Sequence, residues 1–178
     1  PEKEGWVDRD KLLAIKGRSR KELFQLADEI DVKNYPCPAG GCLLTELSFV
    51  PKVRDMFDHA EELDLRDCRL LKIGRHFRIG ERTKVIIGRD ESDNNLLETA
   101  RQPDEAAITW LDGNTPVGVI VGRQGSEYLD LASRIMLRYT KAEPAAACRI
   151  HIRDTGGERT VTATNNLYDA SVQPYLVC

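Results

Sequence analysis

The apolar pattern of this chain changes from helical to mixed near residue 72, and that change limits the folds open to it. Before it, apolar residues recur at helical spacing. Ser19 with Glu22 forms a capping box ahead of Leu23, Leu26, Ala27 and Ile30, which predicts a helix over 20–30. Pro51 suits the first turn of a helix reaching about residue 63, with Val53, Met56, Phe57 and Ala60 inward. Shorter helices are expected over 8–15 and 67–71. After residue 72 the signal is mixed, with short strand-like segments set between helices. Segments 76–79 and 83–87 flank a turn at Gly80-Glu81-Arg82, and segments 106–111 and 117–121 flank Asp112-Gly113-Asn114. Segments 148–152 and 160–163 flank Gly156-Gly157, and 173–177 reads as one more short strand. Two helices interrupt these strands: 92–101, capped by Asp90, and 126–141, whose Leu129, Ala132, Ile135, Met136 and Tyr139 form the clearest apolar stripe. The fold class is α+β. A helical segment with a cysteine-bearing Pro/Gly loop occupies 1–71, and a mixed or antiparallel sheet packed with helices occupies 72–178.

Composition excludes several classes. Of 178 residues, 41% are hydrophobic and 31% charged, so the chain can build a core and is not a disordered or low-complexity segment. No apolar run is long enough for a membrane span, and no secretory signal precedes the first helix. Residue 1 is Pro, which suggests a cut piece of a longer protein. Five cysteines, an odd number, fit free thiols in a reducing cytoplasm. They lack the paired spacing of a structural zinc site, so no metal is expected.

The net charge of −3 hides two basic blocks. Residues 66–89 hold eight Arg/Lys against Asp67 and Glu81, and residues 9–21 hold six against Asp10. Acids gather at 55–64 and 90–105. Blocks of this kind read either as a face for phosphate or as solvated surface.

The first helices are separated by Tyr35-Pro36-Cys37-Pro38-Ala39-Gly40-Gly41-Cys42-Leu43-Leu44-Thr45. Two Pro and two Gly in that space exclude regular structure. Glycine lets the backbone approach a reactant closely, and Lys33 and Arg54 are placed to favour a thiolate at Cys42. Cys37 and Cys42 also read as small buried apolar residues. Residues 19–44 resemble the tRNA 2-thiouridylase family, in which a helix of this type leads into a loop ending Gly-Ile-Cys. Here the loop ends Gly41-Cys42. The resemblance implies that Cys42 carries a persulfide sulfur for transfer to uridine, and that Cys37 is the resolving thiol. It also implies ATP and Mg in a PP-loop ATPase domain. No PP-loop motif and no GxxxxGK[ST] occurs in these 178 residues, so this piece is expected to need no cofactor and to be inactive alone.

The run Val85-Ile86-Ile87-Gly88-Arg89-Asp90-Glu91-Ser92-Asp93-Asn94-Asn95-Leu96-Leu97 is a strand, a glycine turn and a helix start. There, helix amides and Arg89 would converge on a phosphate. The run resembles the NFACT-type RNA-binding domain, over about residues 70–140, with Asp90 where that family has Asn. The residues expected to contact RNA are Arg75, Arg78, Lys84, Arg89, Asn94, Asn95 and Arg123. A purely structural reading also holds: Asp90, Ser92 and the asparagines cap a helix, and the arginines are ordinary surface. Trp110 and Tyr128 read as base-stacking or core residues, and His76 as a surface residue or one that supports a neighbouring group, with at most an RNA contact.

The function expected from these features is the C-terminal part of a uridine-thiolating enzyme. Its partners would be tRNA and a sulfur donor protein, in the cytoplasm and off the membrane. The alternative is a non-catalytic module that binds RNA or a sulfur carrier, with a structural cysteine loop.

Overall fold

A computed structural model describes residues 2–11, 13, 15, 21–33, 43–60, 62–113, 116–122 and 125–177. The chain divides into two compact units, residues 1–40 and 41–178. The first holds a 3-10 turn at Arg9–Lys11 and helix α1, Lys21–Glu29. Where a helix was expected over 8–15, the described residues show only that single turn. None of the residues of α1 is buried.

In the second unit, α2 (Val50–His59) and α3 (Leu65–Leu70) precede β1 (Arg75–Gly80) and β2 (Thr83–Ile87). Then come α4 (Glu91–Ala100), β3 (Ala106–Trp110), β4 (Gly118–Gly122), α5 (Ser126–Arg138), β5 (Ala147–Asp154), β6 (Gly157–Thr164) and α6 (Asp169–Val172). The α+β expectation holds. The sheet is antiparallel throughout, in the order β1-β2-β4-β3-β5-β6.

Strand side chains alternate between faces, so each strand splits its residues between two cores. Phe77, Ile79, Val85, Ile87, Ile108, Ile120, Ile150 and Ile152 point to one face. The α5 residues Ala132, Ile135 and Met136 cover it. Ile86 and Val119 point to the other face and meet Leu70 of α3 and Leu97 of α4. The stripe seen in 126–141 is therefore core, and Trp110, Tyr128 and Tyr139 pack against it.

Three expectations are corrected. Helix α2 stops at His59, where Ala60 turns extended, and Phe57 is 62% exposed rather than inward. Met56 alone of the expected quartet is fully buried, because Phe57 lies a further 100° around the helix. The strand expected over 173–177 is a 3-10 turn, Gln173–Tyr175, then a single bridge from Leu176 to Phe77. Pro174 lacks the N–H that a strand ladder needs. His76 is not at the surface: it is 1% exposed.

No helix among the described residues is long and apolar enough to cross a membrane.

Candidate nucleic-acid interface

Strands place residues by parity. Arg75 and Arg78 lie three apart on β1, so they point to opposite faces. The register then sets Arg78 directly opposite Lys84 on β2. The expected basic face is thus divided into two places with different chemistry.

At one place, Arg78 and Lys84 face α2. The Arg78 guanidinium donates to both carboxylate oxygens of Asp55, at 2.8 and 2.6 Å. Burial pushes the Asp55 carboxyl up, but the Arg78 hydrogen bonds and charge outweigh that and hold it below its ordinary range. Lys84 is 6% exposed, and burial lowers its pKa, with Arg78 adding repulsion. Lys52 bridges nearby, donating to the Gly74 carbonyl at 3.0 Å. This cluster ties α2 to the sheet. Beside it, an open groove of about 720 Å³ is lined by Arg66 and Arg82, but also by Glu62, Asp64, Asp67, Asp104 and Glu105. A polyanion is repelled there.

The other place lies across the sheet, where β1 starts and β2 ends. A groove of about 610 Å³ is bounded by Arg75, Gly88, Arg89, Asn94, Tyr139 and Lys141. The Arg75 guanidinium sits over the Tyr139 ring, 4.9 Å from its centroid, and that ring rests on Phe77 at 5.6 Å. The stack fixes a long side chain before any ligand arrives. Gly88 is needed for its closeness to α4: a Cβ there would lie 2.1 Å from the Asn94 carboxamide oxygen. That oxygen accepts the Val117 amide at 2.9 Å, so Asn94 joins α4 to the start of β4.

The slot expected to hold a phosphate is filled by the chain's own Asp93. Its carboxylate accepts from the Arg89 Nε at 2.6 Å, the Arg89 amide at 3.1 Å and the Gly74 amide at 3.2 Å. The hydrogen bond from Arg89 leads in holding Asp93 below its usual range. Asp90 caps α4 through the Asp93 amide at 2.9 Å, as its position implied. Arg89 also donates to the Lys72 carbonyl at 3.1 Å. Its guanidinium is oriented, and its Nη1 has no partner among the described residues.

The structure thus brings Arg75, Arg89 and Asn94 together. It sets Arg78 and Lys84 apart, and Asn95 lies on the exposed side of α4. Arg123, Cys37 and Cys42 lie outside the described residues. Tyr139 and Lys141 were missed as site residues. Tyr139 ended a helical apolar stripe, and nothing in the sequence shows that the C-terminal end of α5 meets the start of β1.

A search of curated proteins found no match. Among solved structures, the chain is similar to the C-terminal part of the fibronectin/fibrinogen-binding protein of Streptococcus suis. The TM-score is 0.52 at 13% identity, covering 75% of this chain and 62% of that one. At that identity the likeness concerns the fold alone. The profile described as the NFACT protein RNA binding domain matches residues 74–176, from the foot of β1 to the turn that closes against it. The groove residues Arg75, Gly88, Arg89, Asn94, Tyr139 and Lys141 all fall inside that span, which is more than half of the sequence, and the chain belongs to this family.

Proposed function

We propose that this chain is a non-catalytic RNA-binding module that takes an RNA backbone along the groove at the start of β1. The observation that carries the reading is the coincidence of the groove with the matched span. Arg75, stacked on Tyr139, and Lys141 supply phosphate contacts, and Arg89 presents its Nη1 beside them. The Asp90 and Glu91 carboxylates on the same groove limit how closely a phosphate approaches α4. They favour a few placed contacts over diffuse adhesion.

The test is RNA binding against salt. The chain should bind folded tRNA more tightly than duplex DNA of equal length, because 2′-hydroxyls and A-form shape distinguish the two. Replacing Arg75 and Lys141 together by Ala should flatten the salt slope by about 1.4–1.8, since each phosphate contact contributes about 0.7–0.9. An unchanged slope would place the RNA elsewhere.

A finer reading makes tRNA the RNA and gives the parent protein a cytoplasmic PP-loop ATPase domain using ATP and Mg. In that reading Cys42 carries sulfur from a donor protein and Cys37 resolves it. Its support is the resemblance of residues 19–44. Cys148, 4% exposed and with its thiol pushed up by burial, is an internal reference. If Cys42 transfers sulfur, iodoacetamide should label it much faster than Cys148. Equal protection of both thiols would remove the sulfur role and leave the RNA module standing.

A further inference from the structure

The RNA reading leaves the far edge of the sheet unused. The β1 edge is partly covered near its start: Leu176 bridges to Phe77, and the Val177 amide donates to the His76 carbonyl at 2.9 Å. The opposite edge is β6, eight residues long and, among the described residues, paired only with β5. Thr155-Gly156 is a two-residue turn, which makes Asp154 and Gly157 the hydrogen-bonded closing pair. In an antiparallel ladder that role recurs at every second residue. It reappears just past the strand, where the Asn165 amide donates to the Ala146 carbonyl at 3.0 Å. Odd-numbered residues of β6 therefore bond inward to β5. The amides and carbonyls of Glu158, Thr160 and Thr162 point outward, and all three residues are exposed.

Open edges are ordinarily blunted by charge, Pro or a bulge. Residues 160–164, Thr-Val-Thr-Ala-Thr, contain none of these, and the β5–β6 register runs unbroken from 147 to 164. The segment is also complementary to itself. In an antiparallel pairing about a two-fold axis at Val161, Thr160 faces the partner's Thr162 and Val161 faces the partner's Val161. Arg159 then faces the partner's Ala163, and Glu158 faces the partner's Thr164. No like charges oppose one another. Val161, half-buried against the main core, gains an apolar neighbour. A pairing centred two residues nearer the turn would set Arg159 against its own copy.

We propose that two copies of this chain associate through β6, antiparallel about Val161, and join their sheets into one. This surface is separate from the RNA groove, so it stands or falls independently of that reading.

Sedimentation equilibrium of the chain, without RNA, should show a mass that doubles as protein concentration rises. Thr162→Pro removes an outward amide that β5 does not use, and should leave a monomer with unchanged circular dichroism. Val161→Lys opposes two like charges at the axis and should also lose the dimer. Hydrogen exchange needs no variant: the Thr160 and Thr162 amides should become protected as the dimer forms. A monomer at all concentrations, or those amides exchanging freely in a dimer, would overturn the proposal. So would a dimer that folded Thr162→Pro or Val161→Lys leaves intact.

Discussion

Lowering the pH from 7 to 4 should cost this fold about 3 kcal/mol through one residue, His76. The imidazole is 1% exposed, and its Nε2 lies 3.1 Å from the Leu70 carbonyl and 3.0 Å from the Ile73 carbonyl. Both are acceptors, so Nε2 donates. Its Nδ1 has no partner among the described residues. Burial, then the charges of Lys52 and Lys84, lower its pKa from 6.5 to about 3. The unfolded chain therefore takes up the proton first. The stability is fully present above pH 6.5 and is lost progressively as pH falls toward about 3. Asp55, Asp93, Asp112 and Asp154, all held low, act in the same direction below about pH 5, where the unfolded carboxyls begin to take up protons, so the window from 6.5 to 5 separates His76 from them. Urea midpoints across that window should fall, and should flatten in His76→Gln, which keeps a donor but does not titrate. Direct observation of the ring by NMR is independent of any variant. An imidazole that protonates near pH 6 in the folded protein would refute this account.

His76 also shows where sequence reading stops. Short apolar and β-branched segments flanking turn signals located every strand of the sheet, because both are local signals. The Asp90 cap and the stripe of α5 were legible for the same reason. Burial on the second face was not. The chain's own pattern around His76 reads as basic surface, and only the packing of α2 and α3 over β1 excludes water from it. Parity could have separated Arg75 from Arg78, since an odd spacing on a strand means opposite faces. Nothing local, however, assigns Asp55 to Arg78 or Tyr139 to Arg75, each pair being joined by tertiary contact alone. Asp93, four residues past Arg89, had an i,i+4 signal. It read as a spacer because a phosphate was expected in the place it fills.

The charge cluster under α2 yields an asymmetric expectation. Asp55→Ala removes the carboxylate whose two oxygens accept from Arg78, and leaves Arg78 and the 6% exposed Lys84 facing each other across the strand register, with Asp67 the remaining acid acting on Lys84. Removing one partner of a fully buried pair costs roughly 3–5 kcal/mol; this pair is part-buried, so the loss is smaller, but a like-charge contact is added to it. Arg78→Met should cost clearly less. Methionine fills the apolar volume of the arginine stem, the repulsion on Lys84 disappears, and the Lys84 ammonium remains as a counterion for Asp55. Chemical denaturation of the two variants reads the difference directly. Equal costs would mean that Lys84 does not share Asp55 and that the cluster is a simple pair. RNA binding supplies the second readout, because Arg78 was among the residues expected to touch phosphate. Folded Arg78→Met should keep the parent's affinity for tRNA and its salt slope, whereas the Arg75 and Lys141 double variant should lose both. A flattened slope in Arg78→Met would return that arginine to the RNA face and would require α2 to move aside on binding.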